Sequence, residues 1–266
     1  MNHDLQAALQ LEKLGELRFA ANVPDHWQQG RGAFGGLVLA ILARAMEQAE
    51  SDPERPLQSL SGEIVAPVLA STAEIQVEIL RRGSGLSSVA ALLRQDGELR
   101  AHASAIFGKS RVTDRERVSI LPPTIPDWRS IEPLQFEPEL APPFLGGFEI
   151  RPTGPMPFTG NREPLTEGFV WLRERPKMFG AAELIAYVDA WWPTQWSIEE
   201  APRPMATVAF SFQRCMPLAD IPTAVPLFHR ARGLASHAGY APELRELWTI
   251  DGRLVALNPQ TFCIIR

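Results

Sequence analysis

The chain has 266 residues, of which 45% are hydrophobic and 21% charged, a balance that excludes a mostly disordered polypeptide and leaves room for one large or two ordinary domains. A formal net charge of -5, from 26 basic and 31 acidic residues, repels polyanions, so nucleic acid is not an expected partner, although a few local arginines could still hold a small anion. No run approaches the roughly 20 consecutive apolar residues of a membrane span, the first residues lack a signal-peptide pattern, and Cys215 and Cys263 stand apart in neither a disulfide nor a zinc pattern. The expectation is a soluble, cytoplasmic protein with no membrane association, no metal and no cofactor.

The first strong element opens at Gly35-Gly36. The run LVLAILARAMEQA that follows is apolar on nearly every side and ends on Glu47 and Gln48, which predicts a buried helix. Strand-like stretches come next over Gln58 to Val65, Thr72 to Arg82, Leu86 to Gln95 and Glu98 to Phe107. Arg82-Gly83-Ser84-Gly85 and Asp96-Gly97 supply hairpin turn chemistry between them. Ten of the 24 prolines then crowd between Pro122 and Pro157. Each removes a backbone donor and fixes φ, so this segment is neither an interior helix nor a central strand and reads as a linker docked on the surface. A second helix is predicted from Ala181 to Trp192, stopped by Pro193, with strands near Met205 to Met216, Val225 to His237, Leu244 to Ile250 and Arg253 to Ile265.

The two halves repeat each other. QDGELRAHASAIFG (Gln95 to Gly108) and IDGRLVALNPQTFC (Ile250 to Cys263) share a DG turn followed by alternation. Upstream, LQSLSGEIVAPV (Leu57 to Val68) matches ATVAFSFQRCMPL (Ala206 to Leu218) in a strand that carries a serine and ends in proline. One buried helix followed by an antiparallel meander, done twice, is an α+β plan. A helix with no polar side needs a sheet that curls round it.

That doubled unit resembles the double hotdog of the TesB-like acyl-CoA thioesterase II family. The residues that carry the resemblance are Ala33-Phe34-Gly35-Gly36-Leu37, the AYVDA stretch around Asp189, the ATVAFSF strand with Thr207, and DGRLVALNPQ ending at Gln260. The resemblance implies two antiparallel sheets, each wrapped round a central helix: an N-terminal hotdog over residues 1–115, a proline-rich linker over 116–164, and a C-terminal hotdog over 165–266 that holds the catalytic set. It implies hydrolysis of acyl-CoA to free acid and CoA. The family's Asp, Thr or Ser, and Gln, which together hold the attacking water, fall on Asp189, Thr207 and Gln260. Ser211 is a second candidate for the hydroxyl and, with Gly35 and Gly36, for contact with the substrate. The long linker and the two tryptophans after AYVDA depart from the family pattern.

The same residues can be read without the family. On a helix, Asp189 neighbours Ile185, Ala186, Trp192 and Pro193, an apolar face with no basic partner, and it sits near the C-terminal end where the dipole disfavours negative charge. Burial and dipole both push its pKa toward the range of a useful general base; the alternative is a solvated aspartate on a last turn before Pro193. In strict alternation Thr207, Ala209, Ser211 and Gln213 share one face, which suits either a site lining or a solvent face. Gln260 lies among apolar neighbours, where its amide needs partners, in a site or at a sheet edge. Gly35-Gly36 at a helix start suits either polarisation of a ligand carbonyl by bare N–H groups or tight helix packing.

No GxSxG elbow, GxGxxG loop, GxxxxGK[ST] run or paired histidines occur, which disfavours serine hydrolase, Rossmann and P-loop chemistry. Two other functions compete: an acyl-binding hotdog protein without chemistry, and a hydratase, which wants a histidine beside an aspartate on the helix. Aligned on the repeat, Leu57 stands opposite Thr207, Ala105 opposite Gln260, and Leu39 or Ala40 opposite Asp189, so one catalytic set per chain is expected. Homo-oligomerisation is expected because sheets of this kind leave apolar faces to cover.

Overall fold

The computed structural model describes residues 3–113, 117–137, 139 and 141–265; the boundary expected between 115 and 116 lies outside them. The chain begins with α1 (Leu5–Ala8), the short strands β1 (Leu11–Lys13) and β2 (Arg18–Asn22), and a small hairpin of β3 (Gln28–Gln29) and β4 (Gly32–Ala33). Then come α2 (Gly35–Glu50) and the meander β5 (Leu57–Ile64), β6 (Thr72–Arg82), β7 (Leu86–Gln95) and β8 (Glu98–Gly108). The second half contributes β9 (Phe148–Pro152), β10 (Leu165–Leu172), α3 (Ala181–Asp189), α4 (Gln195–Ile198), β11 (Met205–Arg214), β12 (Leu227–Gly233), β13 (Tyr240–Trp248) and β14 (Leu254–Ile264). Among the described residues no helix is long and apolar enough to cross a membrane.

The expectation of two separate sheets is corrected. A single 12-stranded sheet runs β1-β2-β6-β7-β8-β5-β11-β14-β13-β12-β10-β9. Its centre is the antiparallel pair β5 and β11, with Phe210 opposite Gly62 and Ser211 opposite Ser61. Two free edges would each present a row of unpaired N–H and C=O groups, and joining them satisfies both rows. Read outward from that seam, the first half gives β5-β8-β7-β6-β2-β1 and the second β11-β14-β13-β12-β10-β9, so each strand meets a counterpart of the same chain order. Even the β-bulges correspond, one between Leu57 and Ser59 and the other between Thr207 and Ala209.

β9 lies inside the segment read as a linker. It is the outermost strand, where Pro152 at its end costs no ladder bond. β10 escaped the sequence reading because its second half is buried without alternation. α3 ends at Asp189, short of Trp192. α2 and α3 pack together inside the curl of the sheet, and every residue from Leu37 to Ala43 is fully buried.

Candidate active site

Phe34-Gly35-Gly36 and Phe179-Gly180-Ala181 open α2 and α3 in the same way. The two helices run antiparallel, each N-terminus against the other's C-terminal end. Asp189, the last residue of α3, accepts the backbone N–H of Gly36, and Glu47 near the end of α2 accepts that of Ala181. This approach requires the glycines: a Cβ on Gly35 would stand 3.0 Å from Asp189 Oδ2, and one on Gly36 would stand 2.5 Å from the Phe34 ring and 2.9 Å from Asp189 Cβ. Gly36→Ala is therefore expected to cost about 1–3 kcal/mol by overpacking, a loss that thermal unfolding of the variant measures.

The sheet brings the other two residues to that carboxylate. Gln260 on β14 is buried, and its Nε2 donates to Asp189 Oδ1 at 2.8 Å and to Thr207 Oγ1 at 3.1 Å. Gln260 Oε1 is buried with no partner among the described residues. Thr207 reaches the set because of the bulge after it. In strict alternation Thr207 would share the outer face of Ser211, but the extra residue reverses the count, so Thr207 turns inward with Phe210 and Phe212. Ser211 stays on the outer face, its Oγ 3.3 Å from Ser61 Oγ. The structure thus brings Asp189, Thr207, Gln260, Gly35 and Gly36 together and leaves Ser211 out.

Two residues that sequence reasoning missed complete the set. Arg245 on β13 is fully buried; its Nη1 donates to Asp189 Oδ1 and to Val188 O, at 3.4 and 3.3 Å, and its Nη2 to Trp192 O at 3.4 Å. Its Nε donates to Glu243 Oε1 at 2.5 Å, and Glu243 Oε2 accepts the N–H and the hydroxyl of Thr194, each at 2.8 Å. The guanidinium caps the carbonyl end of α3 and ties the chain after it to the sheet. No basic residue neighbours Asp189 along the helix; Arg245 comes to it from the sheet. The available signal was the alternation Glu243, Arg245, Leu247, two charges on the face that carries an apolar residue.

Burial is the largest influence on Asp189 and pushes its pKa up to about 7; Arg245 and the Gly36 N–H oppose the rise, and Glu243 adds to it. The sign agrees with the sequence argument, although a basic partner is present after all. In the first half, counting nine residues from Gly35 and from Gly180 puts Arg44, not Leu39 or Ala40, opposite Asp189. Arg44 donates to Glu183 Oε1 at 2.6 Å, and the β5 and β8 positions matching Thr207 and Gln260 hold Leu57 and Ala105.

This architecture is found in solved structures. A conserved protein of unknown function with hot dog fold from Alicyclobacillus acidocaldarius is similar over 100% of this chain and 99% of its own, with TM-score 0.89 and 22% identity. The tesB protein of Mycobacterium avium subs paratuberculosis is similar over 99% of this chain and 98% of its own (TM-score 0.81, 18% identity). The acyl-CoA thioesterase II TesB2 of Mycobacterium marinum covers 98% of both chains (TM-score 0.78, 16% identity). No curated protein sequence matches the chain. The fold is thus an α+β hotdog fold. Residues 23–108 match the family model of the acyl-CoA thioesterase N-terminal domain and residues 122–264 that of the C-terminal domain, so the chain belongs to the acyl-CoA thioesterase family and is a TesB-like thioester hydrolase.

Proposed function

We propose that the protein hydrolyses acyl-CoA to free acid and CoA by direct attack of a water molecule activated by Asp189. The observation that carries this reading is a buried carboxylate with a pKa raised to about 7, hydrogen-bonded through one amide to a hydroxyl. A base of that pKa is about half ionised at neutral pH and, where ionised, strong enough to accept a proton. A water beside it can donate one hydrogen to Asp189 and the other to the unpartnered Gln260 Oε1, with Thr207 Oγ1 beside it. As the water oxygen bonds to the thioester carbonyl carbon, its proton passes to Asp189 and the carbonyl becomes an oxyanion. The N-terminal end of α2, at Gly35-Gly36, offers the positive end of a helix dipole to that charge. Collapse breaks the C–S bond, and Asp189 returns its proton to the departing thiolate.

Release of free thiol from a panel of acyl-CoAs tests the activity. Hydrolysis in heavy-oxygen water should label the released acid, whereas a burst of thiol equal to the enzyme concentration would mean an acyl-enzyme and end this reading. Thr207→Val and Gln260→Leu should each lower kcat by about 10–10³-fold, since each removes an orienting hydrogen bond and leaves the base in place. Combined with loss of Asp189, neither should add its full effect, because groups that act as a unit fail together.

A further inference from the structure

Arg214 closes β11 at the seam between the halves. Its Nε donates to Leu57 O at 2.9 Å, its Nη1 to Met216 O at 2.9 Å and its Nη2 to Gln58 Oε1 at 2.8 Å. All three partners are neutral, and no carboxylate pairs with it among the described residues. A guanidinium carries five N–H donors, so two are left over, and a partly buried cation without a counter-charge is unfavourable.

This side chain lines a cavity of about 640 Å³ with Lys109 and Arg111. Among the described residues Glu54 is the one acidic residue of the lining, and Lys109 already binds it. The volume is in the range of small-molecule sites. Six residues of strand lie between Thr207 and Arg214, seven steps that span at most roughly 23 Å, so the cavity is remote from the catalytic set. Its wall from Pro56 to Gln58 flanks Leu57, the counterpart of Thr207. The cavity therefore stands where the repeat places the rim of a second site, one that has Arg44, Leu57 and Ala105 in place of the acid, hydroxyl and amide.

We propose that this cavity is a second ligand site, which binds the phosphomonoester of a small molecule through the two spare N–H groups of Arg214, with Lys109 and Arg111 at its rim. Nothing in this depends on hydrolysis at Asp189. Inorganic phosphate and a nucleotide phosphomonoester share the required chemistry.

Cys215 lines the same cavity, and Cys263 on β14 does not, so the chain carries its own probe and reference. The test is the rate of maleimide labelling at each cysteine, read by peptide mass spectrometry. Millimolar adenosine 3′,5′-bisphosphate should slow labelling at Cys215 on the order of tenfold, as charge-assisted bonds to a guanidinium would, and leave Cys263 unchanged. Adenosine alone should have no effect. Equal protection by inorganic phosphate would assign the site to the free ion, and weaker protection would assign it to the nucleotide. Arg214→Gln should abolish protection. No slowing by either phosphate compound, equal slowing by adenosine, or protection that persists in Arg214→Gln would each overturn the proposal. Should Arg214→Gln fail to fold for want of its bonds to β5, Lys109→Gln combined with Arg111→Gln must weaken the protection; undiminished protection there overturns the proposal as well.

Discussion

Replacing Asp189 with asparagine is expected to lower kcat by about 10²–10⁴-fold, the usual worth of a positioned general base, while the protein remains folded. Asparagine is nearly isosteric and can still accept the Gly36 N–H, so the junction of α2 with α3 keeps its shape. It cannot take a proton from water. The pH profile gives the sharper readout. With the Asp189 pKa pushed up to about 7 by burial, the carboxyl is protonated and inactive below that value and ionised above it. Thiol release by the native enzyme should climb through about pH 7 and level off, and the residual rate of Asp189→Asn should lack that limb. An Asp189→Asn variant with unchanged turnover would remove Asp189 from the mechanism.

Arg245→Met should be the most destabilising single change near the site. The native guanidinium is fully buried between Asp189 and Glu243 and also serves the carbonyls of Val188 and Trp192. Methionine fills much of the volume but strands two buried carboxylates, a loss of about 3–5 kcal/mol where one partner of a buried pair is removed. Urea unfolding measures it. Because Arg245 holds the Asp189 pKa down against burial, the activity limb of any folded Arg245→Met protein should also move to higher pH. Adding Glu243→Gln should recover part of the lost stability, since it removes one of the stranded charges, and the double-mutant cycle should show strong coupling. A variant as stable as the native chain would mean that the network carries no net charge burden.

Most of the elements could be read from the residues in order, because their causes are local. The apolar run from Leu37 to Ala43 has no polar side to expose, so it had to be an enclosed helix, and the Asp-Gly turns at Asp96 and Asp251 had to join antiparallel strands. Asp189 was legible as unusual for a similar reason, an acid on an apolar helix face near a C-terminal end. Other features depended on contacts between distant segments. The joining of β5 to β11 into one sheet is a pairing of edges, which no period in either strand encodes. The inward turn of Thr207 and the exclusion of Ser211 rest on a bulge, and a single inserted residue reverses every later side chain on a strand whose alternation reads as regular. Arg245 and Glu243 reach Asp189 only because β13 passes behind the end of α3, so the cation that limits the rise in the Asp189 pKa belongs to the tertiary structure alone. The correspondence of Arg44 to Asp189 rests on the helix starts: Phe179-Gly180-Ala181 opens α3 as Phe34-Gly35-Gly36 opens α2, a match that the repeated strands alone do not give.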